Sequence, residues 1–329
     1  MIAYAILKFF LFALIIVITG YFLTKCADAI SERTNLGRAF IGSVFLAGAT
    51  SLPELFVGVS AIKTEAPDLA LGNIFGSSLF NLMILAVADL MHRNTKSMFS
   101  SSAQSHTISA LMCINVMAVA AIVLLASPLI SFPQIGGVSL PLLFIFLSYI
   151  MSMRLIYCNH RLQIKSPVLS GSKVMGLSQA TMGYLSSALI LLIVAPYVAE
   201  SAEEIARLTG LKDSFVGTTL LAFATTLPEL VSTTTAVRMG AFDMAIGNIF
   251  GSNAFNMMLL IPLDFFHPGA LLASVSPTHA LTALATIITS SVASMGQLYQ
   301  VEKRIKFIEP DALLIISLTL GFLFVLYLI

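Results

Sequence analysis

A stretch of forty residues occurs twice in this chain. Gly42 to Asn81 reads GSVFLAGATSLPELFVGVSAIKTEAPDLALGNIFGSSLFN. Sliding the sequence by 175 positions lays it, without a gap, on Gly217 to Asn256, GTTLLAFATTLPELVSTTTAVRMGAFDMAIGNIFGSNAFN, with about half the positions identical. Thr50, Pro53, Glu54, Asp68, Gly72, Asn73, Gly76, Ser77 and Asn81 fall on Thr225, Pro228, Glu229, Asp243, Gly247, Asn248, Gly251, Ser252 and Asn256. A repeat of this kind implies two copies of one structural unit. Each copy places a glutamate, a proline and a series of hydroxyl and amide side chains in otherwise apolar surroundings, which points to a site shared between the copies.

Those surroundings set the solvent. Of 329 residues, 58% are hydrophobic and 10% charged, with a mean hydropathy of +0.96, a balance that excludes an ordinary soluble domain and indicates an integral membrane protein in a lipid bilayer. A net charge of +1 gives no sign of a nucleic-acid partner. Cys26, Cys113 and Cys158 are too few and too far apart for a disulfide framework or a zinc pattern, and the histidines are scattered. The glycines of GNIFGS lie inside apolar segments, so phosphate cradling does not apply to them. No cofactor and no enzymatic activity are expected.

Apolar windows of about 20 residues predict an all-α membrane protein of ten transmembrane helices, at roughly 2–24, 39–62, 67–90, 106–127, 135–157, 176–199, 214–237, 242–265, 277–298 and 309–329. The first window has the length and flank of a signal peptide but no small-x-small cleavage site. Its tail also recurs in the second half, where Ala27, Ile30, Thr34 and Leu36 fall on Ala202, Ile205, Thr209 and Leu211, so it reads as a structural helix. Of the seventeen Lys and Arg, thirteen fall on one side of this layout: Lys25, Arg33, Arg38, Arg93, Lys96, Arg154, Arg161, Lys165, Lys173, Arg238, Lys303, Arg304 and Lys306. Lys63, Arg207 and Lys212 fall on the other, and Lys8 lies within the first span. The positive-inside rule puts both termini outside. Each half, 1–157 and 176–329, holds an odd number of spans, so the second enters the membrane from the opposite side and the five-helix repeats are inverted. Residues 158–175, short and basic, read as a cytoplasmic linker.

Within each copy the proline matters first. Pro53 has no N–H and crowds the carbonyl four residues back, so the helix bends and carbonyls at Ala49 and Thr50 are freed. Such groups are tolerated in lipid only when something satisfies them, and a cation beside Glu54 would do so. Asn73, Ser77 and Asn81, four apart, form a polar stripe on one helix face, and Gly72 and Gly76 make a GxxxG surface for close approach. The second copy repeats this with Asn248, Ser252, Asn256, Gly247 and Gly251. Carboxylates, hydroxyls, amide oxygens and freed carbonyls are hard donors that suit calcium or sodium. The plain alternative, that Glu54 and Glu229 reach water at helix ends, is weakened by their equivalent mid-span positions. A mid-span carboxylate costs on the order of 3 kcal/mol on insertion scales. Asp68 and Asp243 read as caps at helix starts, Asp89/His92 and Asp264/His267 as interfacial pairs or an entry path, and Glu200, Glu203 and Glu204 as a solvated helix end.

At these residues the chain resembles the cation/calcium exchanger superfamily, nearest the sodium/calcium exchanger branch, through paired S/T-x-P-E-L and G-N-x-x-G-S-x-x-x-N motifs and the five-plus-five layout. The resemblance implies that Glu54 and Glu229 ligate calcium and sodium in alternation. It also implies that Thr50 and Thr225 contribute backbone carbonyls, that Ser51, Thr226, Ser77 and Ser252 help form sodium sites, and that Asn81 and Asn256 line the centre. Three departures stand out. Ala49 and Ala224 replace a usual glycine; Ser51 is matched by Thr226; and Asn256 stands where potassium-dependent relatives have Asp, which weighs against potassium co-transport. The expected function is secondary antiport of sodium for calcium by a functional monomer in a cell membrane. The absence of a regulatory insert fits a prokaryotic plasma membrane. Proton/calcium exchange on the same fold is the alternative, although that branch looks like G-N-A-x-E, found in neither copy. An intramembrane acid protease and a passive channel are more distant rivals.

Overall fold

The computed structural model describes residues 2–91, 103–163, 175–209, 219, 221–299 and 310–328. Its helices are α1 (Ile2–Thr34), α2 (Arg38–Lys63), α3 (Pro67–Met91), α4 (Ala103–Ala126), α5 (Leu140–Gln163), α6 (Leu177–Thr209), α7 in two pieces (Ala222–Thr225 and Leu227–Arg238), α8 (Phe242–Phe266), α9 (His279–Tyr299) and α10 (Pro310–Leu328). Among the described residues, 8 helices are long and apolar enough to cross a membrane: all of these but α7 and α10. The first residues of the expected seventh span, Gly217 included, lie outside the described residues. So do His92, the basic residues Arg93, Lys96, Lys165, Lys173, Lys212, Lys303, Arg304 and Lys306, and most of the expected linker.

The repeat extends from sequence into winding. Offset by 175, Ile2–Thr34 becomes Leu177–Thr209, Leu52–Lys63 becomes Leu227–Arg238, and Pro67–Met91 becomes Phe242–Phe266, bound for bound. The turn joining the last two also recurs. Glu65 (φ 59°) and Gly240 (φ 72°) both adopt the left-handed conformation that stops a helix. The same bonds close both turns: Ala66 N to Ala61 O and Ala241 N to Ala236 O, each 2.9 Å. Glycine takes this conformation freely; Glu65 takes it at a cost.

Three helices differ from expectation in where they begin or end. Helices α1 and α6 are 33 residues each, about ten longer than their apolar windows. α6 carries Pro196 within its apolar window, but beyond the windows neither helix meets a proline or glycine before Gly37 or Gly210, so each winds on, for a length of roughly 50 Å against a hydrocarbon core of about 30 Å. The chain is not purely helical: a hairpin of two strands, Gln134–Ile135 and Val138–Ser139, turns on Gly136 and Gly137 at φ 61° and 83°. Helix α5 therefore starts at Leu140 instead of near 135. It runs on through Gln163, because no proline follows until Pro167, and takes up the first residues of the expected linker.

Packing sorts the helices by what they bury. In α3 and α8 the most apolar windows are 78% and 83% buried, against 17% in α1 and 28% in α6. α3 and α8 cross at the centre and are packed by α2, α7, α4 and α9, while α1 runs along α6. Large apolar side chains such as Leu7, Phe10, Leu14, Leu185, Leu189 and Ile193 face outward from α1 and α6, as lipid requires. The fully buried residues of α3 include Asn73, Ser77, Ser78, Asn81 and Asp89. A bundle that is apolar outside and polar at its centre protects something there from lipid.

Candidate ion site

The site begins where α2 and α7 break. Pro53 cannot donate to Ala49, and the winding interrupts two residues ahead of it, at Ser51 (φ −91°, ψ 1°), before restarting at Leu52. Thr226 (φ −81°, ψ 2°) does the same ahead of Pro228. The upstream winding is also irregular. Ile41–Leu46 is a π-helix, and residues 219 and 221 of the second copy carry the same wide turn. The hydroxyl of Thr50 takes up slack by donating to the carbonyls of Leu46 (3.0 Å) and Ala47 (3.3 Å).

This segment lies backbone to backbone on α8. A methyl added at Gly42 would stand 2.5 Å from the carbonyl oxygen of Met244, and one at Gly251 would stand 2.5 Å from Ser43 Cα. Gly247 likewise faces Ala39 and Ser43. The GxxxG of the second copy is thus a contact surface, and it draws α2 and α8 close enough for their short polar side chains to meet.

They meet in pairs that exchange under the repeat. Thr50 Oγ1 lies 3.5 Å from Ser252 Oγ, and its counterpart pair, Ser77 and Thr225, is 3.2 Å apart. Asn81 Nδ2 donates to Asn253 Oδ1 (2.9 Å), and the counterpart bond runs from Asn256 Nδ2 to Ser78 Oγ (3.4 Å). Asn253 Nδ2 donates to the carbonyl of Ser78 at 2.9 Å. Glu229 Oε1 accepts from Ser51 Oγ (3.1 Å) and Ser252 Oγ (3.4 Å). Thr225 Oγ1 donates to Asn73 Oδ1 (3.0 Å), and Asn248 Nδ2 to Thr233 Oγ1 (3.1 Å).

Three hydrogen-bonded sets result, Thr50, Ser51, Ser252 and Glu229 in one, Ser77 and Thr225 with Asn73 in another, and Asn81 and Asn256 with Ser78 and Asn253 in the third, and all of them, with Glu54, form one buried cluster. Thr226 is the exception: its hydroxyl donates back to Phe223 O (3.1 Å), whereas Ser51, its counterpart, reaches across to Glu229. Two members were absent from the residues singled out by sequence. Ser78 and Asn253 follow Ser77 and Ser252 directly, and a count of buried-side polar residues in GNIFGSS and GNIFGSN would have found them.

Several oxygens in this cluster have no partner: Glu54 Oε1 and Oε2, Glu229 Oε2, and the amide oxygens of Asn81, Asn248 and Asn256. In the two repeats the one pure donor left unpaired among the described residues is Asn73 Nδ2. Among the described residues neither carboxylate is paired with Lys, Arg or His. Buried acceptors without donors are costly. A cation is the kind of species that relieves this cost, and an all-oxygen shell suits a hard one. No group of three or more His, Cys, Asp or Glu is found among the described residues.

The outlying acids have other roles. Asp68, expected to cap its own helix, instead accepts from Ser276 N (2.7 Å) and His279 Nε2 (3.0 Å), tying α3 to the start of α9. Asp264 is buried within the protein, near the end of α8. It accepts from Ser139 N (2.6 Å), Ser139 Oγ (3.2 Å) and Leu271 N (2.7 Å), clamping the hairpin and the short helix Leu271–Ser274 to the end of α8. Asp89 is also fully buried. Glu200 makes an exposed ion pair with Lys8 at 3.3 Å.

The family model described as sodium/calcium exchanger protein matches residues 4–153 and 179–329. The sodium/calcium exchanger MaX1 of Methanosarcina acetivorans is 26% identical over 294 residues, covering 78% of this chain and 82% of its own. The inner membrane protein YrbG of Escherichia coli is 28% identical over 252 residues, 76% of each chain. Among solved structures, that of the sodium-calcium exchanger NCX_Mj soaked with Na+ and Sr2+ superposes with a TM-score of 0.72 at 19% identity, covering 98% of both chains.

Proposed function

The chain belongs to the sodium/calcium exchanger family, and on that footing we propose that it is a secondary antiporter that expels calcium in exchange for sodium. Glu54 and Glu229 ligate both ions in turn. Thr50 and Thr225 contribute backbone carbonyls; Ser51, Thr226, Ser77 and Ser252 contribute hydroxyls; Asn81 and Asn256 contribute amide oxygens. The observation that carries the reading is the set of buried oxygen acceptors around two carboxylates that no basic side chain among the described residues neutralises. Two such carboxylates make the unloaded carrier costly to reorganise within the membrane, so the change of access occurs when calcium or sodium is aboard.

In the proposed architecture ten spans form two inverted halves, 1–157 and 176–329, with both termini outside and residues 158–175 in the cytoplasm. The recurrence of helix bounds at an offset of 175 supports it. The site needs both copies and one chain supplies both, so the monomer is the functional unit. Prokaryotic relatives of similar length favour a prokaryotic plasma membrane.

The test is radioactive calcium uptake into sodium-loaded proteoliposomes, with and without an outward sodium gradient. Uptake should require the gradient, and Glu54→Gln or Glu229→Gln should each abolish it, since either change removes one of the two charges that balance calcium. Uptake indifferent to sodium but driven by an imposed pH gradient would transfer the function to proton/calcium exchange on the same site.

A further inference from the structure

The two central amides have a polarity problem that the ligand residues do not solve. An asparagine beside a carboxylate can turn either its oxygen or its NH2 group inward. The NH2 group is the natural hydrogen-bond partner of an unpaired carboxylate, and a charge-assisted bond of that kind is strong. Asn81 and Asn256 lie one helical turn beyond Ser77 and Ser252, and Ser252 itself reaches Glu229. If either amide turned its NH2 group toward the unpaired carboxylate oxygens, the protein would fill its own site. In the structure neither does, and the amide oxygens of both are the unpaired atoms.

The reason is a pair of main-chain carbonyls on α3, which can only accept. Ser78 O accepts from Asn253 Nδ2, so the oxygen end of Asn253 must face Asn81. Asn81 must then present Nδ2 to it, and its own oxygen is left facing away. On the other side, Ile74 O accepts from the Ser78 hydroxyl at 3.0 Å, which spends that hydroxyl's only proton. Ser78 Oγ can then only accept, and Asn256 satisfies it through Nδ2, again leaving an oxygen free. The orientation of both amides follows from atoms whose donor or acceptor character is not a matter of choice. Asn253 is 0% exposed and has both ends of its amide engaged.

We propose that Ser78 and Asn253 are positioning residues that hold the NH2 groups of Asn256 and Asn81 away from the two glutamates, so that the carboxylates remain dependent on a cation. This rests on the ion site proposed above. It assigns a task to two residues that contribute no ligand, and it explains why two dissimilar residues occupy equivalent positions. Under the repeat Ser78 and Asn253 exchange places, as do Asn81 and Asn256, so one small and one large partner complete the network and two of the same size do not.

The experiment uses the purified full-length chain in detergent, with calcium binding followed by titration calorimetry and the ion-free unfolding midpoint measured in parallel. Ser78→Ala keeps the backbone acceptor and the packing volume but releases Asn256. Calcium affinity should fall about tenfold, the loss of one charge-assisted interaction, while the ion-free midpoint holds or rises as the freed amide pairs with a carboxylate. A packing defect would lower both. Asn253→Ser should also weaken calcium binding, and the double change Ser78→Asn with Asn253→Ser, which rebuilds the network with its halves exchanged, should restore it. Calcium binding as tight in Ser78→Ala as in the natural chain, or a double change that restores nothing, overturns the proposal while leaving the site intact. A natural chain that binds neither calcium nor sodium overturns the site reading, and this one with it.

Discussion

Asp264 illustrates how differently a buried carboxylate behaves when its neighbours are donors. It lies on the same helix as Asn256 and is as fully buried as Glu229, yet it accepts three bonds, two from backbone N–H groups. Both of its oxygens are already paired. Asp264→Asn would turn an NH2 group toward one of those donors and lose a charge-assisted bond worth about 1.5–3 kcal/mol. The thermal unfolding midpoint should drop while the apparent KM for calcium stays as it is; an altered KM at full stability would return Asp264 to the entry path. The two kinds of acid were only partly separable by sequence. Glu54 and Glu229 were legible because a carboxylate held mid-span, behind a proline that frees backbone carbonyls, is costly in lipid unless it binds something. Asp264 was not, since its partners, Ser139 and Leu271, come from a hairpin and a loop that no apolar window marks. Ser78 and Asn253 were missed because their importance lies in the direction of an amide, which spacing does not encode.

Among the elements, α2 and α8 depend on each other through close backbone contact. Gly251→Ala would place a methyl 2.5 Å from the Cα and carbonyl oxygen of Ser43, atoms that cannot move without the π-helical segment moving too. Overpacking of this kind costs typically about 1–3 kcal/mol. The displacement would separate Thr50 from Ser252, so calcium affinity should fall together with stability. Gly48→Ala, on α2, is the control: its nearest neighbour is the Phe255 ring at 3.7 Å, an ordinary contact, so stability and uptake should stay near those of the natural chain. Equal sensitivity at the two positions would mean that the α2–α8 contact does not shape the site. Eight of the helices, and the GxxxG surface of the second copy, were legible from apolar windows and spacing. The π winding was not, because Ile41–Leu46 satisfies helical periodicity and the wider turn lies in its backbone hydrogen bonding, which side-chain spacing does not encode. The extra turns of α1 and α6 escaped for a related reason, as hydropathy marks where lipid ends and not where a helix does.

At the scale of the molecule, the symmetry of the contacts limits the kinetics. Thr50 with Ser252 and Ser77 with Thr225 are one contact made twice, and together they enclose a single cluster between α2, α3, α7 and α8 instead of two separate ones. If the same carboxylates and amide oxygens serve calcium and sodium, the two ions exclude each other on whichever side the site faces. Sodium added on the calcium side of sodium-loaded proteoliposomes should therefore raise the apparent KM for calcium and leave the maximal rate unchanged. A site with separate, independently filled positions would behave otherwise: sodium would lower the maximal rate at saturating calcium, because a carrier holding both ions would be trapped. The distinction needs only initial rates over a range of calcium at several fixed sodium concentrations. Because the carboxylates number two, calcium alone balances them, and a sodium load greater than two would leave a net positive charge on the loaded carrier. In that case an inside-positive potential should speed calcium entry into sodium-loaded vesicles, since more positive charge leaves with sodium than enters with calcium.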